Sequence, residues 1–275
     1  MIIPSRSPVP LRRAPHEERP PVSRRPAHLL LLSTAALLLN ATAAEAQSPS
    51  ELIPFERLPA ELRKEVWRVT RAPTLRRKVP ERVVPCAPAS YGWILRHLPF
   101  AATALRSMKI ADYAIAKIGP DSVSVDDRSG AFARCQTVFE EPSRRVLFAK
   151  GHIRAPLLPK VEGRAVIVIR YWATPGTAEG SSAPTARTTS DCRIYFRLDD
   201  GFLHRVSRPL RAIMGKVMQK KLDALVGCAA SFAERLETQP DRVLRAVKRA
   251  RPPVAAEDLE SFEARFTKRA LPEQP

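Results

Sequence analysis

Aromatic side chains are scarce in this 275-residue chain, at 6% of the total, and no segment interleaves them with basic residues as a stacking surface for nucleic acid requires. Nucleic-acid binding is therefore not expected. Cysteine is scarcer: Cys86, Cys135, Cys192 and Cys228 form no C-x-x-C pair and have no histidine pair nearby, so no metal site is expected. Beyond residue 46 the histidines are His97, His152 and His204, each isolated in sequence. The chain has no G-x-S-x-G, H-E-x-x-H, G-x-x-x-x-G-K-S/T or G-x-G-x-x-G segment, which leaves no catalytic residue to name and no cofactor to expect. Asp126 with Asp127 and Asp199 with Asp200 are paired acids, but both pairs fall in turns, where aspartate serves the backbone. Long apolar runs are missing too. The longest, LLLLSTAALLL at 29–39, is well short of the roughly 20 residues of a spanning helix.

What is present begins with charge. The 46 basic and 28 acidic side chains give a formal +18, and the excess of arginine over lysine is read as the coding bias of a GC-rich genome. Residues 1–28 hold six arginines and seven prolines, and the uncharged run that follows ends in NATAAEAQS, where Ala44 and Ala46 supply a small-x-small cleavage pattern. Residues 1–46 are therefore expected to be a signal peptide cut after Ala46, with an uncleaved anchor over 27–44 as the alternative. The chain is expected to be exported, to the periplasm or beyond. The remaining residues keep a net +15, and outside a cytoplasm the natural anionic partners are membrane surfaces and envelope polymers. Export also permits disulfides, although the spacing gives no pairing.

Residues 47–58 read as a linker and 59–238 as one domain. The spacing predicts a helix from Pro59 with Leu62, Val66 and Val69 on one face. RRKVPERVVPCAP, with three prolines, breaks the pattern. A second helical stretch over 89–108 is split at Pro99. From Ala111 the period becomes two, and six strands follow: a hairpin of DYAIAKI and SVSVD, then stretches from Gly130, Arg144, Gly163 and Asp191. Most connections are too short for parallel crossovers, which predicts an antiparallel sheet. Along the last strand Cys192, Ile194, Phe196 and Leu198 alternate with Arg193, Tyr195 and Arg197, so one face is expected buried and the other wet. The strand from Gly163 is apolar on both faces and is expected to be central or covered.

The strongest signal is a helix over 207–236, apolar at three-four spacing across seven turns, with Lys216, Lys220, Asp223 and Glu234 opposite. Such a helix needs an apolar surface to lie on, and the buried sheet face is the nearest. Gly227 inside it costs about 1 kcal/mol relative to alanine, which close approach to the sheet or space for a guest would offset. Residues 239–275 are expected to be peripheral basic helices and a tail.

Helices, then antiparallel strands, then IYFRLDDGFLHRVSRPLRAIMGKVMQKKL running a strand straight into the long helix, resembles the START-like, helix-grip (SRPBCC-type) superfamily over about residues 59–237. No strand precedes the first helix, a departure that bears on sheet closure. The resemblance implies an α+β helix-grip fold whose sheet wraps the last helix, and an apolar ligand held between them. Candidate pocket residues are Ile167, Ile169, Tyr171, Ile194, Phe196, Met214, Met218 and Leu222, the methionines suiting an adaptable pocket. Two connections, 173–190 and the APLLPKVEG stretch with Leu157 and Leu158, are candidate lids. Arg242, Arg245, Lys248, Arg249 and Arg251, beside Val243, Leu244 and Val247, have the composition of a helix resting on an anionic bilayer. The expected function is non-catalytic binding or transfer of an apolar small molecule, such as a lipid, in the bacterial cell envelope. A cyclase or hydrolase using the same cavity, and a structural envelope protein with a filled core, are the alternatives.

Overall fold

The computed structural model describes residues 48–155, 158–174, 186–199 and 208–267. The leader, the central part of the 173–190 connection, Leu157 and His204 lie outside them. Element order is α1 (Pro49–Leu52), a 3-10 turn (Phe55–Arg57), α2 (Ala60–Arg71), β1 (Leu75–Val84), α3 (Pro88–Arg96), α4 (Leu98–Ser107), β2 (Ala114–Gly119), β3 (Ser122–Asp126), β4 (Ala131–Glu141), β5 (Arg144–Ala155), β6 (Leu158–Thr174), β7 (Arg187–Leu198), α5 (Arg208–Thr238), α6 (Pro240–Lys248) and α7 (Ala256–Phe262). The strands form one antiparallel sheet in the order β1-β7-β6-β5-β4-β3-β2.

Among the described residues seven strands rather than six make the sheet, and the extra one is β1, in the proline-broken stretch after α2. It pairs only with β7, so its other side needs no ladder donor. Pro80 falls inside the register shift between Val79 and Arg82, where a missing N–H costs nothing. Pairing β1 to β7 puts the first and second strands at opposite edges, with α3 and α4 linking them. α3 and α4 split near Pro99 as the sequence predicts, meeting at His97.

Both faces of the sheet are covered. The outward residues Val166, Val168 and Tyr195 form a core with Phe139, Val146 and Phe148, under Val66 and Val69 of α2 and under Leu52, Ile53 and Leu58. Tyr195 is 1% exposed, which corrects the expectation of a wet face. The expected linker over 47–58 is therefore partly structural, since Leu52 and Ile53 are each 1% exposed against this face. Residues after 239 are not peripheral either: Val243, Val247 and Phe262 join Trp93, Phe100, Leu236 and Phe232 in a second core. Phe262 stacks on Phe100 with ring centres 5.0 Å apart.

α5 lies across the inward face, as its apolar stripe predicts. Met214 and Met218 pack on Phe196, Leu198 and Val161, and Phe232, Ala233 and Leu236 enter the core built on α3 and α4. This is a helix grip: a curved antiparallel sheet closed by the long helix α5 that follows its last strand, here with a further layer on the outer face. Close approach to the sheet occurs at Gly215, where an added Cβ would meet the Arg77 guanidinium at 2.7 Å, and not at Gly227, where it would meet nothing within 4 Å. All four cysteines are free thiols. Among the described residues no helix is long and apolar enough to cross a membrane.

Candidate functional site

Between α5 and the sheet lies a cavity of about 320 Å³. Its origin is in the inward-facing alternation of three central strands. Register places Ala133, Gly151 and Gly163 side by side across β4, β5 and β6, and Cys135, Ala149 and Ala165 in the adjacent row. Two rows of small residues leave a trough that the stripe of α5 spans but does not fill. The row beyond, Leu147, Ile167 and Ile194, restores bulk, and Ile94, Leu95 and Leu98 close that end. Met218, Leu222, Leu225, Val226 and Ala229 form the roof. Leu225 is 42% exposed and Phe132, at the rim, 36%, so the cavity opens to solvent.

Of the residues singled out from sequence, Ile167, Ile169, Ile194, Phe196, Met218 and Leu222 come together in this wall. Tyr171 and Met214 do not. Tyr171 packs in the core with its ring 5.4 Å from that of Tyr91 and its hydroxyl against Gly92, and Met214, 3% exposed, is wedged at the foot of the helix with Val161 and Leu198. Sequence reasoning missed the small-residue rows and the contributions of α3. The signal was readable: Ala131, Ala133 and Cys135, then Ala149 and Gly151, then Gly163 and Ala165, each occupy alternate positions of one strand face.

Few polar groups reach the wall. Lys221 of α5 bonds the carboxylate of Asp127, the Ser129 hydroxyl at 2.7 Å and the Ser129 carbonyl at 3.1 Å, using all three of its protons. Asp127 also accepts from the Ser129 and Ala131 amides. Burial alone would raise its pKa, but Lys221 and the two amides outweigh that and hold it below the ordinary aspartate value. Arg145 is pinned at the boundary by the Leu95 carbonyl and by Thr137 Oγ1 at 2.7 Å, and burial lowers its pKa. Burial raises the pKa of Tyr91, with the Ser190 hydroxyl acting against that rise. Burial also pushes the thiols in the wall up, Cys135 to about 11 and Cys192 to about 12, so both are neutral lining. His152 faces the Phe132 ring at 5.8 Å.

A second, polar cleft of about 330 Å³ shares Leu95, Cys135, Arg145 and Leu147 with the first. Within it Lys117 pairs with Glu257 at 2.8 Å, and His97 Nδ1 and Asp258 share a hydrogen bond at 2.7 Å. The His97 ring stacks on Trp93 at 4.3 Å, and Trp93 donates to Ser261 at 2.9 Å. These bonds tie α7 to the α3–α4 junction. Among the described residues no three His, Cys, Asp or Glu side chains converge to hold a metal ion.

The five basic residues singled out after Gln239 remain at the surface. Lys248 pairs with Glu263 at 2.7 Å and Arg249 donates to the Arg245 carbonyl. The apolar side of that helix is spent, because Val243 and Val247 are 0% and 1% exposed. It cannot enter a bilayer without unfolding, which leaves only its charge to meet one.

No family model matches the chain, and no curated protein does. Solved structures with similar coordinates include the di-domain ARO/CYC BexL from the BE-7585A biosynthetic pathway (12% identity, 63% of this chain and 52% of that one, TM-score 0.37). An uncharacterised protein from Rhizobium leguminosarum matches at 10% identity, covering 58% of this chain and 96% of that one, with a TM-score of 0.32. Ara h 8.0201 matches at 11%, covering 57% and 98%, with 0.31. The chain spans about half the length of BexL. At these scores the strand order and the placement of α5, not the likenesses, identify the fold.

Proposed function

We propose that the chain holds an apolar small molecule, such as a lipid, between α5 and the sheet without transforming it. The observation that carries this reading is the unfilled trough of small side chains under a helix whose stripe is otherwise continuous. Interiors of proteins are packed to near crystal density, so an apolar void of this size is a cost unless something occupies it. Lys221 has its three protons on Asp127 and Ser129, and Arg145 is held by Thr137 and the Leu95 carbonyl, which favours holding over chemistry. The leader-like sequence over 1–46 supports a site of action in the cell envelope. There the exposed Arg242, Arg245 and Arg249 would rest on an anionic membrane through charge alone.

The test is native mass spectrometry of the purified chain for co-purifying lipid, beside titration with 1-anilinonaphthalene-8-sulfonate. Saturable binding near one equivalent is expected in the wild type, with loss in Ala165→Phe, which places a ring in the trough. A folded wild type that binds neither lipid nor dye would refute the reading. Co-sedimentation with phosphatidylglycerol vesicles that survives Arg242→Glu with Arg245→Glu would refute the membrane contact.

A further inference from the structure

We infer that the outer face of the sheet carries a docking surface for an anionic lipid bilayer, centred on Arg134 and Lys150 and separate from the contact of α6. It does not depend on the cavity holding a guest. Register places Arg134 of β4, Lys150 of β5, Arg164 of β6 and Arg197 of β7 side by side in one row across the sheet. Neighbouring strands lie about 4.8 Å apart, so along this row like charges stand directly opposite one another from strand to strand. Such pairs weaken a sheet unless something neutralises them.

The fold does so at one end of the row. Arg164 meets Glu65 of α2 at 3.0 Å and Asp199 at 3.5 Å, and Arg197 donates to the Arg68 and Ala72 carbonyls. The other end is bare. Among the described residues Arg134 has no hydrogen-bond or ion-pair partner, and Lys150 has only the Phe148 ring, 5.7 Å from its ammonium. Both are exposed, as is Arg154 further along the same face of β5. Other cations close by are matched: Lys160 pairs with Glu162 at 2.5 Å and Arg128 with Asp126 at 3.6 Å. The charge left over is therefore local to β4 and β5.

What lies beside that charge selects the partner. Two positions along the same strands, Phe132 and His152 face each other with ring centres 5.8 Å apart, and Phe132 is 36% exposed. A bilayer presents phosphates to the cations and a headgroup zone in which an aromatic ring settles readily. A protein partner would need about 800 Å² of matched surface with an apolar centre, which one ring pair does not supply. A nucleic-acid strand would need a succession of stacking rings, and the face has none beyond this pair. The contact is also distinct in place, because α6 packs with α5, which lies across the opposite face of the sheet.

The test measures binding of the purified full chain to vesicles of phosphatidylglycerol and phosphatidylcholine in equal parts, beside vesicles of phosphatidylcholine alone. The wild type is expected to bind the first and not the second. Arg134→Ala with Lys150→Ala is expected to weaken that binding about 25-fold, at about 5-fold for each cation near an anionic surface, whereas the charge-conserving Arg134→Lys with Lys150→Arg is expected to stay within about 2-fold. Both side chains are exposed, so thermal midpoints and dye binding in the cavity are expected to hold. Lys150→Ala alone, expected to lose about 5-fold, serves if the double variant folds poorly. Equal vesicle binding by the wild type and the alanine variants overturns the inference, while the cavity and the α6 contact stand. Loss confined to Arg242→Glu with Arg245→Glu overturns it in the same way. Binding of soluble polyphosphate through Arg134 and Lys150, with no binding to either vesicle, would make the row a site for a soluble polyanion and also overturn it.

Discussion

Lys221 in the middle of α5 places its ammonium on Asp127 and Ser129, 94 and 92 residues earlier in the chain. This bond fastens the closing helix to the β3–β4 turn, at the rim of the cavity. Lys221 and Asp127 are 23% and 12% exposed, so the pair is partly desolvated and each partner depends on the other. Lys221→Met is expected to destabilise by about 1–3 kcal/mol, the cost of leaving the aspartate with only its backbone partners. Urea unfolding at neutral pH measures it.

The same bond has a pH signature. Because Asp127 is held below its ordinary value when folded, its contribution is present above the unfolded carboxyl pKa and is lost as pH falls through the folded value. The stability gap between wild type and Asp127→Asn is expected to be constant above about pH 5 and to shrink steadily below about pH 4. Thermal melts across that range read it. A gap that widens on acidification would show that the carboxyl is not held down.

Buried thiols give a chemical readout of the packing. With Cys86 and Cys135 pushed up to about 11 and Cys192 to about 12, very little thiolate is present in native protein at about pH 8. Reaction with a water-soluble aromatic disulfide is expected to be slow for these three and to become fast in denaturant. Counting labelled sites by mass spectrometry before and after denaturation checks it. Prompt labelling of Cys86, which is 1% exposed, would mean that the segment between β1 and α3 parts readily from Thr188 of β7.

The C-terminal helices separate charge from packing. Val247→Asp puts a carboxylate into the core beside Phe100 and Leu236 and is expected to cost about 3 kcal/mol or more, whereas Arg245→Glu on the exposed side is expected to stay within about 0.5 kcal/mol. Matched denaturation curves decide between an integral and a peripheral α6. Equal, small effects from both would restore the peripheral reading.

Periodicity made the long helix and six strands legible, because an inward face alternates at a period of two and a helical stripe at three to four. β1 was hidden by prolines that an edge strand with a register shift tolerates. The outer layer was hidden for another reason. Arg193, Tyr195 and Arg197 look like a solvated face, yet Tyr195 is buried beneath α2 while Arg76 sits 5.3 Å over its ring. The His97–Asp258 bond joins residues 161 apart, a distance across which local sequence carries no signal. The trough lay between these cases. Its small residues were visible on each strand, but only the register sets Gly151 beside Gly163 and Ala149 beside Ala165.

That register makes Gly151 a sharp test of how the cavity is built. A Cβ there would lie 2.1 Å from the Phe132 carbonyl oxygen and 2.7 Å from Ala133 Cα, both backbone atoms that cannot turn aside. The β4–β5 pair must part to admit it, so Gly151→Ala is expected to destabilise by about 2–3 kcal/mol or more despite adding a single methyl group. Gly227 provides the opposite case in the same molecule. It sits inside α5 with open space around a would-be Cβ, so Gly227→Ala is expected to stabilise by about 0.5–1 kcal/mol through helix propensity and the unfolded chain. Chemical denaturation of the two variants side by side reads opposite signs if the small residues of the sheet are held by backbone contact and that of the helix is not. A destabilising Gly227→Ala would mean that the helix comes closer to its surroundings there, one of the two readings the sequence offered, and a neutral Gly151→Ala would mean that the strands beneath the cavity are less tightly joined than their register requires.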